Sequence, residues 1–228
     1  MKKVYIIVLW TLLSCIIVNM HAVTPKSSTL EDWTNFLKKN GYYLYSFDIS
    51  EFSDTTRTII LKVREYENDS LVRDDILPPF GFNTRLMLDE IPEDARNDMK
   101  DMENPDKGIV RTLKQTNIGL TYHAQDSIAI VTYDMVGHGI LSPQLSLRPI
   151  ATQVGDKKQY LYAARPFAAT DSISTDKFVP LVLLSSFWID NNGIIRSCGE
   201  HEIKSLDSDI IKNSPHSYII GFNVDTRK

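Results

Sequence analysis

Residues 178–198 have the sequence FVPLVLLSSFWIDNNGIIRSC, and this stretch decides the fold of the chain. Residues 181–189 form the densest apolar run outside the N-terminus. An apolar run with so little polar alternation is typical of a strand that is covered on both faces. We therefore expect this strand to lie at the centre of its sheet. Asn191-Asn192-Gly193 then supplies residues that tolerate a positive φ, which tight hairpin turns require. The stretch therefore predicts two antiparallel strands joined by a short turn.

Other strand patterns lie on both sides of this stretch. Residues 42–49 (YYLYSFDI) are rich in aromatic side chains, and residues 57–67 alternate apolar and polar side chains. Because a polar turn separates the two segments, we expect them to form a hairpin with one solvated face. Residues 217–224 predict a last strand with its aromatic and branched side chains on one face.

Three short segments have helix signals. Ser28 and Glu31 match a capping box, and the apolar spacing that follows predicts a helix over residues 29–40. Pro92, which is followed by acidic residues, marks the start of a second helix, because both suit the first turn. A helical turn is also expected within residues 207–213.

Strands outnumber helices, and few strand–helix–strand alternations are visible. We therefore predict an α+β fold: predominantly antiparallel β-sheet with an N-terminal helix and one or two short additional helices. No linker divides the chain cleanly, so residues 23–228 are expected to form a single domain, with a boundary near residues 104–108 as the alternative. A unit of this size can fold without disulfides or metal.

Composition excludes some classes of protein. Hydrophobic residues make up 43% of the 228 residues and charged residues 24%, which is typical of a globular protein rather than a disordered one. The formal net charge of −4 argues against a nucleic-acid partner, which needs a basic surface. The two cysteines are Cys15 and Cys198, too few for a disulfide framework.

The N-terminus has the pattern of a secretory signal. Met1-Lys2-Lys3 is followed by the apolar VYIIVLWTLLSCIIV, which is short for a membrane span. We expect residues 1–22 to be a signal peptide cleaved after Ala22. The alternative is a lipoprotein signal that ends before Cys15, which would then carry the lipid and the only membrane attachment. Either route predicts an exported protein of the periplasm or cell surface, anchored to the outer membrane if Cys15 is acylated.

The sequence contains no recognisable catalytic motif. Glu200-His201-Glu202 is the densest cluster of ligand-type residues, but a solvated turn explains it better than a metal site. Gly137-His138-Gly139 could expose an imidazole, but a turn explains that pattern too. We therefore assign no catalytic residue, no metal ligand and no cofactor from the sequence.

Aromatic side chains suggest a binding surface instead. Tyr43, Tyr45, Tyr160 and Tyr162 lie on predicted strands, where their rings could stack against a sugar. We take these four tyrosines as the candidate ligand-binding residues. Packing in the core or against a neighbouring strand is the competing interpretation, and it carries more weight.

Three features of the sequence are shared with a group of known proteins: the MKK start with the lipobox-like LLSC, the scarcity of cysteine, and segments rich in strand patterns such as SFWIDNNGIIRSCGEHE. In these the chain resembles the small, uncharacterised exported proteins of gut Bacteroidetes, of the domain-of-unknown-function type. The resemblance implies an envelope location and an unassigned role, and it transfers no site residues.

Two functional hypotheses follow from the sequence. The first is a non-enzymatic binding or structural module of the cell envelope that recognises a protein or glycan partner. The second is an envelope hydrolase whose site combines scattered carboxylates with a histidine such as His138 or His201. A deep cleft with converging buried carboxylates would favour the enzyme, and a shallow aromatic groove would favour binding.

Overall fold

A computed structural model gives the structure of the chain and describes residues 26–53, 57–77, 82–86, 109–154, 157–168, 178–197 and 199–226. The expected signal segment with Cys15 and Ala22, the expected helix at Pro92, the alternative boundary at residues 104–108 and Cys198 lie outside the described residues. The chain divides into two compact units, Met1–Phe36 and Leu37–Lys228. Among the described residues, no helix is long and apolar enough to cross a membrane.

The first unit, described from residue 26, contains the start of helix α1, Leu30–Lys39. The helix is capped one residue later than the sequence suggested. Thr29 Oγ1 accepts a hydrogen bond from the Asp32 amide at 3.1 Å, and the Asp32 carboxylate accepts one from the Thr29 amide at 2.8 Å. Thr29 and Asp32 therefore form the reciprocal cap that was expected of Ser28 and Glu31. No residue of α1 is buried.

The second unit is built mainly of antiparallel strands. The strands are β1 Tyr42–Asp48, β2 Arg57–Glu67, β3 Ser70–Ile76, β4 Thr84–Leu86, β5 Ile109–Arg111, β6 Gln115–Thr121, β7 Ile128–Met135, β8 Gly139–Leu141, β9 Gln144–Ser146, β10 Ile150–Val154, β11 Lys157–Gln159, β12 Tyr162–Pro166, β13 Phe178–Ser186, β14 Trp188–Ile189, β15 Ile195–Arg196 and β16 His216–Thr226. A short 3-10 turn spans Ser50–Phe52, and helix α2 spans Asp209–Asn213. The predicted predominance of antiparallel sheet is confirmed, and α1 and α2 are the α-helices of the described residues.

Two five-stranded sheets form the body of this unit. The first has the order β1-β6-β7-β8, with β9 also paired to β7. The second has the order β12-β13-β16-β2-β3. Strand β13 thus lies between two neighbours and is buried along most of its length, which confirms the central position predicted from its unbroken apolar run.

One hydrophobic core joins the inner faces of the two sheets. Ile118 and Val131 come from the first sheet, and Leu61 and Phe222 from the second, and all four are fully buried. The Tyr133 hydroxyl donates a hydrogen bond across this core to the Lys62 carbonyl at 3.2 Å. A smaller apolar cluster lies on the other face of the second sheet, where α2 contributes Ile210 and Ile211 and the strands contribute side chains such as Leu183 and Ile219.

The expected hairpin of residues 42–49 and 57–67 is wrong. Strand β1 pairs with β6 in the first sheet, whereas β2 pairs with β3 and β16 in the second. The 3-10 turn Ser50–Phe52 lies on the connection between the two sheets, and the Phe52 ring is buried. The alternation of each strand was interpreted correctly, but alternation does not specify the partner strand.

The hairpin expected within residues 178–198 is present but smaller. Strand β13 ends at Ser186, and the two-residue strands β14 and β15 then pair on their own as a separate ribbon. The turn between them has Gly193 at φ 75°, the backbone conformation for which the Asn-Asn-Gly sequence is suited.

Candidate binding cleft

A cleft of about 590 Å³ lies where the second sheet meets the connection between β9 and β10. Three parts of the chain line it: residues 148–150 after β9, residues 186–191 from the end of β13 through β14, and residues 213–216 between α2 and β16. The volume falls in the range that accommodates small organic ligands. The lining combines the aromatic rings of Phe187 and Trp188 with polar side chains such as Asp190, Asn191 and Asn213.

The β14–β15 ribbon holds Trp188 at the wall of the cleft. Asp190 closes its turn, because one carboxylate oxygen accepts the amides of Asn192 and Ile194, each at 2.9 Å. The other oxygen accepts Arg196 Nε at 2.8 Å, across the ribbon. The amide of Ile194 first, and then Arg196, lower the pKa of Asp190, so this carboxylate is ionised at neutral pH.

A buried chain of hydrogen bonds lies behind the cleft. His216, which is 1% exposed, places Nε2 at 3.0 Å from Glu65 Oε1 and Nδ1 at 2.6 Å from the Tyr162 hydroxyl. The Tyr162 oxygen also accepts the backbone amide of Arg148 at 2.9 Å. An ionised Glu65 can only accept, so Nε2 carries the proton of the neutral imidazole and Tyr162 donates to Nδ1.

The electrostatics of this chain agree with that proton assignment. Burial alone would raise the pKa of Glu65, but hydrogen bonds from His216 and Tyr218 and the charge of Arg73 lower it overall. Burial lowers the pKa of His216, against the opposing effect of Glu65. Burial raises the pKa of Tyr162. A charged carboxylate, a neutral imidazole and a neutral phenol are therefore the stable forms at neutral pH.

Glu65, Glu67 and His216 form the cluster in the described residues that has metal-type ligand atoms, all within 4.8 Å of one another. Arg148 already forms ion pairs with the two carboxylates of this cluster. Its Nη2 lies 3.0 Å from Glu67 Oε1 and 3.6 Å from Glu65 Oε1. Since the guanidinium supplies the positive charge that the two carboxylates require, the arrangement is an ion-pair network and gives no support for a metal site.

A second, smaller pocket of about 210 Å³ adjoins the cleft, and we call it the tyrosine pocket. Phe187 lines both cavities, and the hydrogen bond from Tyr162 to His216 joins a residue of one lining to a residue of the other. The remaining residues of the tyrosine pocket are Lys38, Lys39, Gly41, Tyr43, Tyr122, His123, Ala124, Tyr160 and Leu161.

The tyrosine pocket brings together three of the four predicted ligand-binding residues: Tyr43, Tyr160 and Tyr162. Tyr45 does not line it. Its hydroxyl donates to the Ala164 carbonyl at 3.0 Å, and burial raises the pKa of Tyr45 to about 12. Packing also constrains Tyr43, whose ring stacks on Tyr122 with centroids 5.1 Å apart. Three of the four rings therefore line the tyrosine pocket, and Tyr43 and Tyr45 also pack against neighbouring residues. The four rings do not form one exposed aromatic face.

The histidines suggested for a hydrolase lie elsewhere. His138 Nε2 lies 2.8 Å from the Thr112 carbonyl, and its ring packs against Phe82. His201 is exposed, as are Glu200 and Glu202 beside it. None of these residues lines the cleft.

Sequence patterns did not reveal His216 and Arg148, which line the cleft, or Glu65, which contacts both of them. Strand pairing places His216 directly opposite Glu67, and Tyr218 opposite Glu65. A signal was present, since a histidine that begins an otherwise apolar strand at the spacing of its inward face needs a polar partner. The partner could not be identified, because the pairing of β16 with β2 is not encoded locally.

Comparisons with known proteins identify a family whose function is not assigned. No curated protein matches the chain, and no solved structure matches it. The family model described as "Domain of unknown function (DUF5041)" matches residues 15–226, which is nearly the whole sequence. The chain therefore belongs to the DUF5041 family.

Proposed function

We propose that the chain is an exported binding module of the cell envelope that holds a glycan in the cleft without chemically altering it. The observation that carries this proposal is the lining of the cleft, where two aromatic rings stand beside carboxylate and amide groups. Ring faces pack against the apolar faces of sugars, and the polar groups bond to hydroxyls. The export part rests on the basic and then apolar N-terminus.

The polar groups behind the cleft support binding rather than catalysis. Both ring nitrogens of His216 are engaged, one by Glu65 and the other by Tyr162. A general base needs a free nitrogen within reach of the substrate. The raised pKa of Tyr162 also makes its phenol a poor base or nucleophile at neutral pH. These groups fix the shape of the cleft wall.

The alternative is an envelope hydrolase that uses this same cluster. The observation in its favour is that His216 lines the cleft while its partner Glu65 is a buried carboxylate. Opening of the Tyr162 bond would free Nδ1 as a base. An assay for new reducing ends, after incubation of the protein with the same saccharides, separates the two proposals. Saccharides that stay intact favour the binding module. Cleavage that is abolished by Glu65→Gln favours the hydrolase.

Isothermal titration calorimetry tests glycan binding. The purified protein is titrated with dextran, dextran sulfate, oligogalacturonides and their methyl esters. We expect at least one to bind, and Trp188→Ala to weaken that binding by about tenfold or more, as removal of a central aromatic contact does. Trp33→Ala is the matched control, because Trp33 does not line the cleft and is exposed. Absence of binding to all four, or equal losses in both variants, would overturn the proposal.

A further inference from the structure

We infer that the glycan is acidic: a saccharide chain bearing carboxylate or sulfate groups that occupies the cleft and places an anionic group in the tyrosine pocket. This inference rests on the proposed function and specifies its ligand. It follows from the charge of the two linings and from their adjacency.

The tyrosine pocket has a cationic lining on an acidic chain. Lys38 and Lys39 both line it, and no carboxylate does. Neither lysine forms an ion pair with any residue in the described part of the chain, whereas Lys62 and Lys212 do. The chain as a whole has a formal net charge of −4. Positive charge that is concentrated in one concave place favours an anionic ligand group there.

The phenols of the pocket complement the lysines. A phenolic hydroxyl can donate a hydrogen bond to an anionic oxygen, and it stays protonated at neutral pH. Tyr160 supplies such a hydroxyl, because it bonds to none of the described residues, whereas the Tyr122 hydroxyl already accepts the Ala164 amide at 3.0 Å. Ring surfaces and cationic groups side by side suit a sugar ring that carries an acidic substituent.

Arg148 supplies a third cation, in the cleft itself. Its side chain is about half exposed, and that of its partner Glu67 is 41% exposed. The exposed pair with Glu67 contributes little free energy, so an incoming carboxylate or sulfate can compete with Glu67 for the guanidinium, while the longer contact with the buried Glu65, at 3.6 Å, remains. The carboxylate in the lining of the cleft, Asp190, is already paired with Arg196.

The two cavities adjoin each other. Phe187 belongs to both linings, and Tyr162 of the smaller pocket is hydrogen-bonded to His216 of the larger cleft. A linear chain that stacks on Trp188 can therefore continue past Phe187 toward Lys38 and Lys39. A single neutral sugar would use the cleft alone.

Matched polysaccharide pairs test the inference. Dextran sulfate is compared with dextran, and oligogalacturonides with their methyl esters, so that the members of each pair share a backbone and one of them carries the anionic groups. We expect the acidic member of at least one pair to bind about tenfold or more tightly, with an affinity that falls as ionic strength rises. Preference in the first pair identifies sulfate as the group bound, and preference in the second identifies carboxylate.

Charge variants separate the pocket from general attraction to polyanions. Lys38→Gln/Lys39→Gln should weaken acidic-saccharide binding by about tenfold. Lys114→Gln/Lys204→Gln removes the same charge from exposed positions outside both linings and should change it by less than about twofold. Equal affinity for the two members of both pairs, or equal losses in the two double variants, would overturn the inference. If the two members of each pair bind equally, glycan binding and the proposed function would still stand. Absence of binding to every saccharide would overturn both the inference and the proposed function.

Discussion

The hydrogen-bonded chain Glu65–His216–Tyr162 shows how individual residues maintain the wall of the cleft. Each polar atom of this buried chain has a partner, and the last bond reaches the amide of Arg148, which lines the same cleft as His216. Buried polar groups are tolerated when they are satisfied, and they become costly when one partner is removed. The stability of the protein should therefore depend on each member.

Tyr162→Phe should destabilise the protein. The substitution keeps the ring but leaves His216 Nδ1 and the Arg148 amide without the hydroxyl, so the free energy of unfolding should fall by about 1–3 kcal/mol. Tyr160→Phe is the matched control, because its hydroxyl bonds to none of the described residues, and its cost should stay within about 0.5 kcal/mol. Urea denaturation measures both, and equal effects would contradict the assigned network.

The stability of the protein should fall in acid, with His216 responsible for the first part of the loss. The folded pKa of His216 is lowered from 6.5, so below that pH the unfolded chain binds a proton that the folded protein resists. The folded pKa of Glu65 is lowered from 4.5, so its contribution is complete above that pH and is lost as the pH falls further. Both effects have the same sign.

Urea denaturation at several pH values separates the two groups. His216→Gln should be less stable at neutral pH and should show a smaller decrease between pH 7 and pH 5, a window set by the unfolded histidine pKa of about 6.5. An unchanged slope in that window would mean that His216 is not held neutral by the fold.

At the scale of elements, local pattern predicted strand identity well and strand pairing poorly. The unbroken apolar run of β13 indicated a central strand, and it lies between β12 and β16. The alternation in β1 and β2 indicated strands, but they lie in different sheets. The cleft depends on such non-local pairings, because Glu65 and His216 are separated by 151 positions in the sequence. Its polar cluster was therefore beyond the reach of local sequence patterns, whereas three of the four candidate tyrosines line the adjoining tyrosine pocket, and their role in ligand binding stays a prediction.

Gly221 allows β16 and β13 to approach closely. A Cβ added at Gly221 would overlap the carbonyl oxygen of Val179 in the neighbouring strand, beside the irregularity between Pro180 and Val182. Gly221→Ala should therefore lower the free energy of unfolding by about 1–3 kcal/mol, as overpacking does. Gly199→Ala, where a Cβ meets open space, should change it by less than about 0.5 kcal/mol. Thermal denaturation of the two variants checks this, and equal stability would contradict the packing described.

At the largest scale, the unit Leu37–Lys228 has two five-stranded sheets that share one large core, and the cleft is lined by residues next to β9, β13 and β16. A unit of this size can bury enough surface to fold without a disulfide or a metal. The family match from residue 15 to residue 226 covers the same unit.

Intact mass spectrometry of the mature protein tests the export proposal. We expect a chain that begins at Val23, and the alternative is a chain that begins at an acylated Cys15. The mass is measured separately for protein from the soluble fraction and from the membrane fraction, because an acylated protein should be recovered with the membrane. A cytosolic protein that retains residues 1–22 would contradict export by either route.

The most direct test of the central claim, that the cleft binds a glycan, is the NMR signal of the Trp188 indole N–H during titration with the tightest-binding saccharide. Trp188 lines the cleft, and Trp33, exposed on α1, provides an internal reference in the same spectrum. We predict that the Trp188 resonance moves in a saturable way while that of Trp33 stays in place. A saccharide that binds without moving the Trp188 signal, or that moves both signals equally, would contradict the account.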